Sequence, residues 1–169
     1  MSEQTTPVRA RKYHLKEAIY DVARPVLESA GFTLSSKHGD HIFRRDRKDG
    51  LEEAVAFCTG KYRNDVIVDV ALVRPGRNPF EAFPITRRKL TEGDRQIGVR
   101  DPLGRIVHGD RYFQGRDGFT WETKEELKAK VREVAELVLR HGPAYWNEMA
   151  RRMTTPQKAR KADTTVEGR

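Results

Sequence analysis

Cysteine is nearly absent from this sequence: Cys58 is the one thiol among 169 residues. A lone thiol cannot close an intrachain disulfide and supplies no cysteine-based zinc cluster, so it predicts a reducing, cytoplasmic setting. Long apolar runs are missing as well. No stretch approaches the ~20 apolar residues that a membrane span needs, and Met-Ser-Glu-Gln-Thr-Thr-Pro at the N-terminus lacks the apolar centre of a secretory signal. A soluble protein without membrane contact is expected. Sharp catalytic motifs are absent too. There is no Gly-x-x-x-x-Gly-Lys-Ser/Thr phosphate loop, no Gly-x-Gly-x-x-Gly opening a helix, no His-Glu-x-x-His and no Gly-x-Ser-x-Gly.

Charge, by contrast, is plentiful: 34% of residues are Asp, Glu, Lys or Arg, while 37% are apolar. Those apolar residues form periodic clusters, which permits a modest core. The net charge of +8 invites a nucleic-acid reading, but its distribution weakens that reading. Residues 1–12 carry +2, residues 150–169 carry +4, and residues 13–149 balance 24 basic against 22 acidic groups. This pattern predicts a basic arm over 1–12, one folded domain over 13–153 and a basic, apolar-poor tail over 154–169.

Along the chain, Leu15, Ile19, Val22, Val26 and Leu27 recur at helical spacing between Tyr13 and Ala30. Gly31 supplies the stop, and Pro25 predicts a local disturbance. Short alternating runs follow. Phe32–Leu34 and Ile42–Phe43 flank a turn at 37–40, and Asp49-Gly50 is a tight-turn pair leading into Leu51–Thr59. The segment 61–64 turns the chain again. Val66, Val68, Val70 and Leu72 then give one strand an apolar face, with Ile67, Asp69, Ala71 and Val73 on the other. Four strands in an antiparallel meander are expected. Pro75–Glu122 is irregular, with short strands expected at 105–108 and 112–114. Thr123-Lys124-Glu125-Glu126 has capping-box spacing and opens a helix carrying Leu127, Val131, Val134, Val138 and Leu139. Gly142-Pro143 is expected to end it, with one more short helix over 144–153. The fold class is α+β: an antiparallel sheet of at least four strands with the N-terminal and C-terminal helices packed on one face.

Residues that resemble chemistry each have a plainer reading. His38, Asp40 and His41 fall on a predicted turn with no evident third ligand, so they read as a polar hairpin tip, and no metal is expected. Asp69 in an apolar strand reads as an Asp on the solvent face of the sheet, with a salt bridge to an arginine as the alternative. Cys58 reads as a small buried hydrophobe. Arg44–Lys48 and Arg87-Arg88-Lys89 lie beside acids and read as mixed-charge surface. Tyr112, Phe113, Phe119 and Trp121, near Arg100, Arg105, Arg111 and Arg116, are either a base-stacking platform or packing residues of a loop. Candidate binding residues are therefore Arg87, Arg88, Arg111, Tyr112 and Trp121. No cofactor and no catalytic set is expected.

The chain also contains, in order, Leu27-Glu28-Ser29-Ala30-Gly31-Phe32 at the end of the first helix, Ile42-Phe43-Arg44, the strand Val66–Val73, Thr86-Arg87-Arg88-Lys89-Leu90, and His141-Gly142-Pro143-Ala144-Tyr145-Trp146. In this it resembles the bacterial proteins grouped as domain of unknown function 4304. The resemblance spans about residues 13–150 and leaves Gly93–Gly118 unmatched. It implies an α+β fold, no established reaction and no catalytic residues, with interaction or immunity-like roles. The functional expectation is a non-enzymatic binding module with a protein partner. A protein that binds nucleic acid weakly and nonspecifically through its basic ends ranks second, and an enzyme with an unrecognised site third.

Overall fold

The computed structural model describes residues 7–35, 41–60, 64–84, 89–109 and 119–155. The predicted turns at 37–40 and 61–63, the strand at 112–114 and the tail beyond 155 lie outside them.

The apolar stripe near the N-terminus forms the expected helix, but it begins earlier, at Val8, within the expected basic arm. It runs as α1 (Val8–Ala18), a π-helical turn (Ile19–Ala23) and α2 (Arg24–Ser29). Pro25 accounts for the π turn. Its ring leaves no room for the carbonyl four residues back and it has no amide hydrogen. The backbone widens by one residue just upstream, where Arg24 N–H reaches Ile19 O.

Four strands follow as the predicted meander: β1 (Thr33–Ser35), β2 (His41–Asp46), β3 (Glu52–Thr59) and β4 (Asp65–Val73), each antiparallel to the next. The irregular connection then contributes β5 (Phe83–Pro84), α3 (Glu92–Ile97), β6 (Gly98–Pro102), α4 (Leu103–His108) and β7 (Phe119–Thr120). The spatial order is β1-β2-β3-β4-β6-β5, and β7 pairs with β4 near its start. All pairs are antiparallel except β5 with β6. Gly98 allows β6 to close on β4. Its φ is +138°, and a Cβ there would stand 2.5 Å from Leu72 O. Residues 105–108, expected as a strand, belong instead to helix α4. Leu103, fully buried at its start, anchors this turn in the core, and tertiary packing overrides the β-branched pair Ile106-Val107.

Helix α5 (Lys124–Thr154) opens on the predicted capping box, with Thr123 Oγ1 accepting from Glu126 N–H at 3.1 Å. It does not stop at Gly142-Pro143, so the expected second helix is its continuation. Both flanks of the break are held down. Leu127, Val131, Val134 and Val138 are buried on one side of it, and Trp146, Met149 and Met153 on the other. Gly142 lets the Trp146 ring lie against the helix backbone, since a Cβ would stand 2.5 Å from that ring. Trp146 Nε1–H then donates to Ala71 O at 2.8 Å, pinning the second half of the helix to β4.

The helices cover one face of the sheet. Val66, Val68, Val70 and Leu72 share a single core with Leu15, Ile19, Leu27, Val131 and Trp146. On the opposite face Ile42, Ala54, Ala56, Ala71 and Val73 form a second cluster against Phe80. Alanines suit that position because the 74–82 connection passes over them. Its backbone is tied down by Arg44 to Arg77 O (2.8 Å), by Gly76 N–H to Glu52 (3.2 Å) and by Arg100 to Ala82 O (2.7 Å).

Candidate functional site

Of the residues singled out in the sequence, Arg87, Arg88, Arg111 and Tyr112 lie outside the described residues. Trp121 is buried just after β7. Its backbone N–H donates to Asn64 O at 3.0 Å, and its indole meets His14 edge to face at 6.4 Å. Its place is in the helix-face core, where it packs the end of the connection under α1.

The basic run at 44–47 is held by acids of the neighbouring strand. Arg44 pairs with Glu52 at 2.7 Å, while Arg45 and Arg47 converge on the buried Glu53 at 2.7 and 2.8 Å. Arg45 also stacks on Phe32, with its guanidinium carbon 4.4 Å from the ring centroid. The sequence reading placed these arginines on a mixed-charge surface. The mixed charge is there, with Glu52, Glu53 and Asp49 as the acids, but the three arginine side chains are half-buried rather than fully solvated.

Two further carboxylates are buried on opposite faces of the sheet. Asp69 does not reach solvent as expected. It is 4% exposed and paired with Arg100 of β6, because the register brings Arg100 to Ala71, one step along the same face. Burial raises its pKa, and Arg100 opposes that rise. Asp101, on the helix face, was not singled out in the sequence. It accepts from Tyr145 Oη–H of α5 at 3.1 Å and has Arg105 of α4 3.5 Å from its other oxygen. Burial pushes its carboxyl up to about 6, offset in part by Tyr145 and Arg105. The same burial, together with Asp101, pushes the Tyr145 phenol up. This cluster stitches β6, α4 and α5 together. Among the described residues no group of three or more His, Cys, Asp or Glu side chains is placed to hold a metal ion.

The outer side of the first helix differs in kind. Tyr13 and Tyr20 are the large apolar side chains that the described residues expose, at 66% and 41%. With Arg9, Lys16 and Arg24 they recur at spacings of three and four residues, so all five lie along one stripe, with Lys12 at its edge. From Arg9 to Arg24 the stripe is ~22 Å long at the helical rise per residue. Tyr20 is the centre. Lys16 Nζ lies 6.0 Å and the Arg24 guanidinium carbon 5.5 Å from its ring centroid, and His41 meets it edge-on at 6.4 Å. The acids of the same helix are segregated. Asp21 points to α5, where it pairs with Lys128 at 2.8 Å, and Glu17 acts on the same lysine. Glu28 pairs with Arg24 at the C-terminal end, at 2.7 Å. The sequence carried this signal as helical periodicity, but a segment-by-segment charge count averages it away.

No protein-family model matches the chain, nor does any curated protein or solved structure. Among the described residues no helix is long and apolar enough to cross a membrane.

Proposed function

We propose that this chain is a protein-interaction module that docks its partner on the outer stripe of α1 and α2. The observation that carries the reading is the exposure of Tyr13 and Tyr20 on one helix face. Tyrosine and arginine are over-represented among the side chains that dominate binding energy. They present large, rigid, amphipathic area at small conformational cost. The stripe is held ready by the fold beneath it, since Leu15, Ala18, Ile19 and Val22 of the same helix are buried in the core. The resemblance to the bacterial domain of unknown function 4304 proteins, with its interaction or immunity-like roles, points the same way. A cytoplasmic setting fits the single thiol.

The test is site-specific crosslinking in cells, with a photoreactive phenylalanine analogue placed at position 13 or 20 of the full chain. Position 136, exposed on the outer face of α5, is the control. Discrete protein adducts from positions 13 and 20, absent at 136, are expected. Adducts that are missing, or equally strong at 136, overturn the reading.

A further inference from the structure

We infer that the partner presents an acidic protein surface: a segment whose Asp and Glu carboxylates meet Arg9, Lys12 and Lys16 while its apolar side chains rest on Tyr13 and Tyr20. The inference rests on the docking role just proposed and adds the chemistry of the occupant.

Three features of the stripe carry it. The first is segregation of charge. Arg9, Lys12, Lys16 and Arg24 are all exposed on the outer side, while Asp21 pairs with Lys128 and Glu17 is near enough to act on that same lysine. A helix optimised only for solubility intersperses both signs and gains from Glu-to-Lys pairs one turn apart. Here the outer face keeps one sign from Arg9 to Lys16, and Glu28 meets Arg24 only at its C-terminal end.

The second feature is that these cations are unspent. Among the described residues Arg9 and Lys12 have no acidic partner, and Lys16 rests only over the Tyr20 ring; Arg24 alone has a carboxylate, Glu28. On the sheet, by contrast, Arg44, Arg45, Arg47 and Arg100 are each paired with a carboxylate. Three adjacent cations without counter-charges set up a positive potential that draws and orients an acidic partner.

The third feature separates an acidic protein from a nucleic acid. Base stacking requires an open aromatic face. The Tyr20 ring has Lys16 and Arg24 over it and His41 edge-on against it, so a base stacking on it competes with two cations of its own helix. Cations fixed beside a phenol suit carboxylates and apolar side chains arriving together, as on an acidic amphipathic segment.

Two measurements test this on the full chain. Fluorescence anisotropy uses four labelled probes at low and physiological salt: a short amphipathic peptide rich in Glu and Asp, its Gln/Asn counterpart, a single-stranded RNA and a DNA duplex. The acidic peptide is expected to bind, weaken with salt, and bind roughly tenfold less tightly, about 1.4 kcal/mol, to the Lys12→Glu/Lys16→Glu variant. Tyr13→Ala/Tyr20→Ala is expected to weaken it as well. Lys130→Glu, a half-exposed lysine paired with Glu133 on α5, is the control and leaves binding unchanged. All four positions changed on the stripe are exposed, and unchanged melting temperatures of every variant verify the fold. Equal binding of the Gln/Asn peptide, or indifference to the lysine reversal, overturns the inference. Tighter binding of RNA or duplex through the same lysines overturns it in favour of a nucleic acid.

The second measurement is mass spectrometry of the segment crosslinked from positions 13 and 20. An acidic segment supports the inference. A neutral or basic segment overturns it while leaving the docking role intact, and absence of any adduct removes the docking role itself.

Discussion

Asp101→Asn removes a carboxyl whose titration burial raises to about 6. In the folded chain its pKa rises from 3.8 to about 6, which at about 1.4 kcal/mol per unit amounts to about 3 kcal/mol. Because the native state holds the proton more tightly than the unfolded chain, Asp101 adds stability below about pH 4 and loses that contribution as pH rises to about 6. The loss arises from moving a carboxylate into a dry site at the junction of β6, α4 and α5, against the partial compensation of Tyr145, Arg105 and Arg152 and the added repulsion of Asp69. Asparagine keeps an acceptor for Tyr145 but cannot ionise. Urea unfolding of both proteins from about pH 4 to about pH 7 gives the stability difference, variant minus wild type, in which the other carboxylates cancel. That difference is expected to climb by about 3 kcal/mol across the window and then level off. A flat difference refutes the argument. A falling one means that the two arginines outweigh burial.

Gly142→Ala drives a methyl to 2.5 Å from the Trp146 ring and is expected to cost about 1–3 kcal/mol in urea unfolding, with helix content retained. Val68→Asp puts a charge into the helix-face core and is expected to abolish cooperative thermal unfolding. Asp69→Asn leaves Arg100 without its ion pair and is expected to cost about 1.5–3 kcal/mol in the same assay while the chain still folds. A chelator is expected to leave the melting temperature unchanged, since a structural metal contributes strongly to folding; a drop of several degrees sinks that expectation.

What was legible in the sequence depended on how far each residue's partner lies along the chain. The meander and the buried face of β4 were readable because alternation is local: Val66, Val68, Val70 and Leu72 announce a face whatever covers it. Asp69 was placed on the right face but in the wrong surroundings, because its partner Arg100 comes 31 residues later, in a strand that glycine and proline disguise. Gly142-Pro143 is locally a strong stop signal, and only the distant bond from Trp146 to Ala71 shows why the helix continues. Residues 105–108 look like a strand for the same reason in reverse, with β-branched residues overruled by packing. The tyrosine and cation stripe was present in the helical spacing of residues 9–24, but only burial distinguishes an exposed tyrosine from a core one.

The place of β4 in the sheet constrains how the chain emerges from the ribosome. One edge of β4 is closed early by β3, but the other waits for β6 at 98–102 and β7 at 119–120, and its valine-rich face waits for α5. Until those residues are synthesised, the nascent meander carries an open, apolar strand edge of the kind that recruits other chains. Premature termination before Trp146 leaves that strand without the bond that seals it. Slowing synthesis between β4 and α5 is therefore expected to lower the yield of folded protein even though every residue is unchanged.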